Sequence, residues 1–511
     1  MRKLNRLSKI FLFLLISQFT WAQSPKHEFR GIWVATVNNL DWPSQAGLPV
    51  EKQKEELLTI LNTLEELHFN AIIFQIRPAG DAFYASQTEP WSQWLTGQQG
   101  KAPDKGWDPL QFMVEECHNR AMELHAWMNP FRLSQNLTTT FSSRNVAMRH
   151  PEWVVTYGKK QYLDPGIPAV RNYLNSVVSE VVRKYDIDAI QFDDYFYPYP
   201  IAGQTFPDTL SFKKYNRGYP VSELNHWRRD NVNLIIESLN QTIKRIKPKV
   251  KFGISPFGVW KNFNEGDEIA GSATTAGNTN YDNLYADVIR WQQQGWIDYM
   301  IPQLYWEIGH PSVDFITLAN WWSERSFGHH VYVGHALYKL VEAKSQAWQN
   351  EQELPEQILI TRRMKDMEGS AFFRMKFLEM NPLGFENRLK EDIYTNRALL
   401  PTMPWLDDQA PNPPKKVKLK GLFKKDELKI KYKKNSPKSG DQLGYLIYTS
   451  NNENSVNTKS TSNIIGFERA DEINLNSLKF SHKGTSYLWL TVLDKQHNES
   501  KPIGPVKIRI K

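Results

Sequence analysis

The chain has 511 residues and a formal net charge of +8, from 63 Lys+Arg against 55 Asp+Glu. With 41% hydrophobic, 13% aromatic and 23% charged residues, it is not a disordered chain, a collagen or a coiled coil. The length fits about three average domains, or one large domain with a small one. A single cysteine excludes an intrachain disulfide framework and a cysteine-based zinc ribbon.

The basic balance invites a nucleic-acid reading, but the charge is uneven. Asn412 to Lys511 carry 20 Lys+Arg against 9 Asp+Glu, a net of +11, and the remainder has a net of −3. Setting aside Arg2, Lys3, Arg6 and Lys9 leaves residues 23–411 at −7, and 16 of the 18 tryptophans fall there. An acidic, Trp-rich body suits a neutral ligand with apolar faces, such as sugar rings, better than a polyphosphate, so no nucleic-acid partner is expected. At least half of those rings are expected simply to fill the core.

Residues 1–22 have the pattern of a secretory signal: the basic positions above, an apolar run Ile10–Ile16, and Thr20-Trp21-Ala22 before Gln23. The run is too short to span a membrane, and no cysteine near it offers a lipid anchor. An exported protein, periplasmic or extracellular, without a stable membrane span is expected, with an uncleaved anchor as the alternative.

Strand-like runs follow at 29–37, 71–76, 123–129, 189–194, 251–255, 299–305, 330–335 and 369–374. Helical patterns lie between them. Pro49 can open one with Leu57, Ile60, Leu61, Leu64 and Leu67 on one face. Asp108-Pro109 reads as an N-cap and first turn, with Cys117 on the apolar face beyond it. Pro168 can open a third, and 222–246 and 281–294 are further amphipathic stretches. Eight strands with intervening helices argue for an α/β fold, a (β/α)8 TIM-type barrel over 27–405. An open doubly wound sheet is the runner-up, weakened by the lack of a Gly-rich fingerprint after the first strand. Residues 406–414, ending Pro411-Asn-Pro-Pro414, read as a linker. Short alternating runs from 415 to 511 then read as a small all-β sandwich. It resembles a fibronectin type III module in its leading prolines, Tyr445-x-x-Tyr448 and its Tyr487…Asp494…Asn498-Glu-Ser500 close, although Lys431-Tyr432 stands where such modules usually place Trp. Alternating cations (Lys429, Lys431, Lys433; Lys507, Arg509, Lys511) are most simply a solvated, edge-protecting face, with contact to an anionic cell-surface polymer as the alternative.

In such a barrel the active site lies at the C-terminal ends of the strands. The residues there are amides, aromatics, carboxylates and one arginine, with no Ser elbow, P-loop or HExxH. Glycoside hydrolysis needs that inventory: two carboxyls at the bond, aromatics on sugar faces, amides on hydroxyls. Asp193 and Asp194 close an apolar strand, where two carboxylates are costly unless paired or used. Asp193 is expected in the barrel mouth; a pairing with Arg77 or Arg30, and a loop-capping Asp194, are the structural alternatives. Glu307 is the first candidate for a further carboxyl and Glu89 the competing one. Trp33, Asn38, Asp41, Trp42, Gln75, Arg77, Trp91, Asn129, Tyr195, Gln303, Tyr305, Trp306 and His335 are the expected substrate contacts. No cofactor or metal is expected, since no tight His/Asp spacing accompanies Asp193, Asp194 and His335.

These blocks resemble the bacterial glycosyl-hydrolase-like family ten over about residues 27–400. The carrying motifs are Arg30–Val37, Asp41-Trp-Pro43, Asn70–Tyr84, Glu89-Pro-Trp-Ser92, Leu95-Thr-Gly97, Trp127–Arg132, Phe192–Pro198, Ile254–Gly258 and Pro302–Trp306. The resemblance implies a barrel glycosidase with Asp193, Asp194 and Glu307 as acid-site candidates. A divisome-localised member of the family cuts peptidoglycan glycan strands lacking stem peptides, so it also implies a cell-wall polysaccharide as substrate. A non-catalytic glycan-binding scaffold on a degenerate barrel is the alternative, and a metal-dependent deacetylase a third.

Overall fold

The computed structural model describes residues 24–414, 416–420, 429–433, 442–470, 472–475, 478, 480 and 483–510. The expected signal segment, residues 1–22, lies outside them, as does Lys511.

Eight parallel strands close into a barrel: β1 (Phe29–Val34), β2 (Ala71–Arg77), β3 (Glu123–Met128), β4 (Ala189–Phe192), β5 (Lys251–Ile254), β6 (Tyr299–Met300), β7 (His330–His335) and β8 (Met367–Phe372). Each pairs with its sequence neighbours, and β8 closes on β1. The expected barrel is therefore the observed one. Its strands are legible because parallel strands are covered on both faces and read as apolar runs rather than alternations. Several end earlier than the apolar runs suggest. β6 stops at Met300 because Pro302 has no N–H to give the ladder. The chain stays extended beyond it, with Leu304 N–H donating to the Gly334 carbonyl.

The main helices are α1 (Val50–Glu66), α2 (Pro109–Asn119), α3 (Pro168–Lys184), α4 (Leu224–Ile246), α5 (Phe315–Ser323) and α6 (Glu353–Thr361). Local chemistry sets their starts. Asp108 accepts from the Gln111 N–H (3.2 Å) while Pro109 occupies the first turn, and Pro168 occupies the first turn of α3 after Ile167, without a side-chain cap. The buried stripe of α1 is Leu57, Ile60, Leu61 and Leu64, and Cys117 is buried on α2. The amphipathic stretch 281–294 is broken into two short helices, Asn280–Asn283 and Val288–Gln293.

Packing inside the barrel is aromatic and tightly fitted. Phe29 stacks on Tyr332 at 4.0 Å between centroids and 8° between planes. The Tyr299 ring lies over Gly253, where an added Cβ would overlap it. A polar column threads these rings. At its base Lys251 pairs with Glu123, and Glu123 Oε2 lies 2.9 Å from His125 Nε2. His125 Nδ1 meets the Tyr299 hydroxyl at 2.6 Å, Tyr299 donates to Gln191 Oε1 at 2.5 Å, and Gln191 donates to Ser255 Oγ at the mouth.

After the barrel the described strands form two antiparallel sheets. β9 (Lys416–Lys420), β10 (Lys429–Lys433), β11 (Gln442–Ser450), β12 (Ile464–Glu468), β13 (Glu472–Asn474), β14 (Gly484–Asp494) and β15 (Ile503–Ile510) are ordered β9-β10-β13 and β12-β11-β14-β15. This unit touches the barrel at the N-terminal ends of the strands. His497 Nε2 lies 3.6 Å from Glu123 Oε1, Lys26 pairs with Glu499, and Lys495 pairs with Asp186. Leu399 packs with Leu443, Tyr448 and Trp489.

Because Tyr299 fills the space above Gly253, Gly253→Ala is expected to lower stability by about 2–3 kcal/mol through overpacking. Urea or guanidinium unfolding of the two proteins measures it, and an unchanged midpoint would show that the ring can move aside.

Candidate active site

The mouth of the barrel is a cleft of about 550 Å³ whose lining includes Trp33, Trp127, Asp193, Asp194, Tyr195, Tyr199, Tyr305 and Phe373. It sits at the C-terminal ends of the strands because the loops after β1, β3, β4, β6, β7 and β8 all rise there.

Its floor is the pair that follows β4. Asp193 Oδ2 accepts from Trp127 Nε1 (3.1 Å), and both of its oxygens accept from Asn129 Nδ2 (3.3 and 3.2 Å). The Tyr195 N–H donates to Asp193 Oδ1 at 3.4 Å. Burial raises the Asp193 pKa, and the Arg132 charge with these donors partly offsets that rise. Asp194 accepts from the Tyr199 hydroxyl. Burial and then the neighbouring Asp193 charge push its pKa up to about 7, against weaker opposition from Tyr199 and Gln303. Asp193 is thus ringed by donors, while Asp194 is poised to carry a proton near neutrality.

Of the expected site residues, the cleft brings together Trp33, Asn38, Gln75, Asp193, Asp194, Tyr195, Gln303 and Tyr305. Gln75 is fully buried, its Oε1 accepts from the Thr36 and Val37 N–H groups (3.0 and 2.9 Å), and its Nε2 has no partner among the described residues. Asn129 lies just beneath, holding Asp193. The remainder are elsewhere. Glu89 is buried in a fork on Arg77 (2.6–2.9 Å) and accepts from the Tyr173 hydroxyl at 2.7 Å. Arg77 therefore pairs with Glu89, and Arg30 pairs with Glu28 (2.7 Å), so neither is the partner of Asp193. Glu307 accepts from Trp348 Nε1 at 2.7 Å, outside the cleft lining. Asp41 ties two loops together, accepting from the Ala35 N–H (2.7 Å) and from Arg374 (2.7 Å). Trp42 is core, donating to the Gln53 carbonyl; Trp306 packs edge-on to Phe257 at 5.4 Å; Trp91 lines a separate groove beside α3. His335 is buried between Gln357 and Ser370 (both 3.0 Å), and burial lowers its pKa to about 4.

Sequence reasoning left out Trp127, Arg132, Lys160, Tyr199, Ser255, Tyr338, Phe373 and Arg374. Trp127 and Arg132 stand in the same block as Asn129, and Tyr199 in the aromatic run after the carboxyls, so proximity in sequence was an available signal. Lys160 arrives on a hairpin (Val154–Tyr157 with Lys160–Leu163) inside the β3–β4 connection, and no local pattern marks it.

An eight-stranded parallel barrel carrying these carboxyls, amides and aromatics at its mouth is a glycoside hydrolase. The chain matches the family described as Glycosyl hydrolase-like 10 over residues 28–351 and belongs to that family. It is similar to glycosyl hydrolase YngK of Bacillus subtilis (strain 168), at 43% identity over 94% of this chain and 93% of the relative. It is also similar to glycosyl hydrolase DigH of Escherichia coli (strain K12), at 37% identity over 70% of this chain and 85% of the relative. Among solved structures, the catalytic domain of β-amylase from Paenibacillus polymyxa aligns with a TM-score of 0.45 at 14% identity, covering 73% of this chain and 99% of that one. The PgaB (BpsB) glycoside hydrolase domain from Bordetella bronchiseptica gives 0.45 at 10% identity, covering 72% and 99%.

Two outcomes separate the carboxylates. If Asp194 is the acid, kcat falls as pH rises through about 7, and Asp194→Asn lowers it by roughly 10²–10⁴-fold. Its raised folded-state pKa also means that its contribution to stability is full below the unfolded value near 4 and is lost as pH climbs toward about 7. Asp194→Asn is therefore expected to flatten that part of the stability–pH curve. Glu89→Gln has the converse phenotype: it leaves Arg77 short of its counter-charge and costs about 3–5 kcal/mol, while the folded fraction keeps its kcat. A pH–rate profile with parallel thermal unfolding reads both.

Proposed function

We propose that this glycosidase is exported and cleaves cell-envelope polysaccharide, specifically peptidoglycan glycan strands lacking stem peptides. The observation that carries the reading is the pair at the cleft floor: a proton-bearing Asp194 beside a donor-held Asp193, walled by Trp33, Trp127, Tyr305 and Phe373. Such walls suit the faces of sugar rings, and a buried acid suits a glycosidic oxygen. Arg132 and Lys160 also line the cleft, which favours a glycan bearing carboxylates, such as the lactyl groups left when stem peptides are removed. The signal-like residues 1–22 support export. No helix of the described residues is long and apolar enough to cross a membrane.

The strand orders β9-β10-β13 and β12-β11-β14-β15 support a fibronectin type III-like module at the C-terminus. Its net charge of +11 over residues 412–511 supports contact with an anionic surface polymer.

Purified protein is expected to release reducing ends from denuded glycan strands, and to do so far less from strands with intact stem peptides. Chelator is expected to leave the rate unchanged, and Asp194→Asn to abolish release while binding persists. Binding without turnover by the unaltered protein would favour a glycan-binding scaffold. Acetate release silenced by chelator would favour a deacetylase.

A further inference from the structure

We propose that the second carboxyl of this hydrolase is replaced by the substrate: the 2-acetamido group of the sugar in the reacting subsite attacks C1, and Asp193 holds that acetamide by its N–H. The inference rests on the reading of the site as one that takes an N-acetylated glycan.

Three observations lead to it. First, the acid and the other buried carboxyl are consecutive residues after one strand, rather than residues on facing walls of the cleft. Second, the described cleft lining contains one further carboxylate, Glu342, and it stands exposed on the short helix Lys339–Glu342 after β7. Glu89 is locked to Arg77, and Glu307 is bound to Trp348. Third, Asp193 is fixed in place by donors on both of its oxygens. Trp127, Asn129 and the Tyr195 N–H are three donors on its two oxygens. Asn129 reaches both oxygens, so these donors already meet the about four lone-pair sites of a carboxylate, and a substrate N–H would take the place of the longest contact, the 3.4 Å one from the Tyr195 N–H. A nucleophilic oxygen would have to leave these donors to bond to C1, whereas an oxygen that receives an amide N–H can stay where it is. Trp33, Trp127 and Phe373 give the acetamide methyl an apolar wall.

The step balances without a co-reactant other than water. Asp194 gives its proton to the glycosidic oxygen as the C1–O bond breaks, and the acetamide carbonyl oxygen bonds to C1. The resulting oxazolinium carries a positive charge, shared through its N–H with the Asp193 carboxylate. The leaving sugar departs as an alcohol. Asp194, now ionised, takes a proton from water as that water adds to C1. The C1–oxazoline oxygen bond opens and restores the acetamide. Two displacements at C1 give net retention. The close Asp193 charge serves both stages: it favours the protonated form of Asp194 beforehand and stabilises the cation afterwards.

The test uses the full chain acting on denuded peptidoglycan strands, on strands N-deacetylated chemically, and on aryl 2-acetamido and 2-trifluoroacetamido glycosides. The expected results are retained configuration in the first product by NMR, competitive inhibition by a sugar-fused methylthiazoline, and at least about tenfold slower turnover of the trifluoroacetamide, whose carbonyl is the poorer nucleophile. Asp193→Asn should lower kcat on the acetamido glycoside by roughly 10²-fold or more with little change in KM. Glu342→Gln should keep kcat within a few-fold of the unaltered protein. Inversion, undiminished cleavage of deacetylated strands, an ester trapped on Asp193, or loss of turnover in Glu342→Gln would each overturn the proposal. If denuded strands resist while chitooligosaccharides are cleaved with retention and thiazoline inhibition, the peptidoglycan reading falls and this one stands.

Discussion

Two carboxyl groups on consecutive residues cannot both ionise out of water without a large cost, since each loses its hydration and each repels the other. The barrel mouth is organised around that constraint. Asp193 receives its donors laterally from the neighbouring strand. β3 and β4 run in register with Trp127 opposite Gln191 and Met128 opposite Phe192, so Trp127 and Asn129 come level with the carboxyl that follows Phe192. The register of these two strands delivers the Trp127 and Asn129 contacts, and the loop after β4 adds the Tyr195 N–H. The Arg132 charge adds to them, and Arg132 is fixed in turn by donating to the Pro78 carbonyl and lying 5.2 Å over the Tyr195 ring. Asp194 accepts from the Tyr199 hydroxyl, but burial and the neighbouring Asp193 charge outweigh that donor and push its pKa up to about 7. Two identical side chains are thereby set apart by their surroundings, the condition for one of them to act as acid near neutral pH.

The same economy of buried polar groups runs down the barrel axis. Glu123 would be pushed up by burial, but Lys251 and His125 more than offset that and hold it ionised. From there His125, Tyr299 and Gln191 hand hydrogen bonds up to Ser255 at the cleft. Each ring or amide in the column is therefore oriented by the one beneath it, which stiffens the floor on which Asp193 and Asp194 stand. The base is closed by His497 from the following β unit, kept neutral because burial lowers its pKa to about 4. A protonated imidazole there would set a second cationic centre beside Lys251, so its neutrality fits the crowding.

The fold was legible because the strands of a parallel barrel are apolar on both faces and their helices announce their starts through Asp108-Pro109 and Pro168. The site was legible only in part, and the failures share one cause. A polar or aromatic residue just past a strand can fold over the mouth or down into the wall, and local sequence does not distinguish the two. Trp33 and Tyr305 went to the mouth, while Trp42 and Trp306 went to the wall. Of the 16 body tryptophans only Trp33 and Trp127 line the cleft, so the richness in Trp speaks mainly of core volume. Glu89 illustrates the same limit for charge. Its partner Arg77 is 12 residues away on another segment, and only the folded chain shows that the pair neutralises itself.

The charge asymmetry also reads differently once the halves are in place. Contacts between the barrel and the β unit run in both directions, Lys26 to Glu499 and Lys495 to Asp186, so docking is not a basic surface laid on an acidic one. These contacts gather at the N-terminal ends of the strands, opposite the cleft. Among the described cations of the β unit, Lys495 and Arg469 reach the barrel, at Asp186 and Asn119, on the side away from the cleft. Fields from exposed charges fade over about 8–10 Å at physiological salt. Charges on that side therefore do little to draw substrate into the mouth, which separates the role of the β unit from the question of what the acidic barrel cuts.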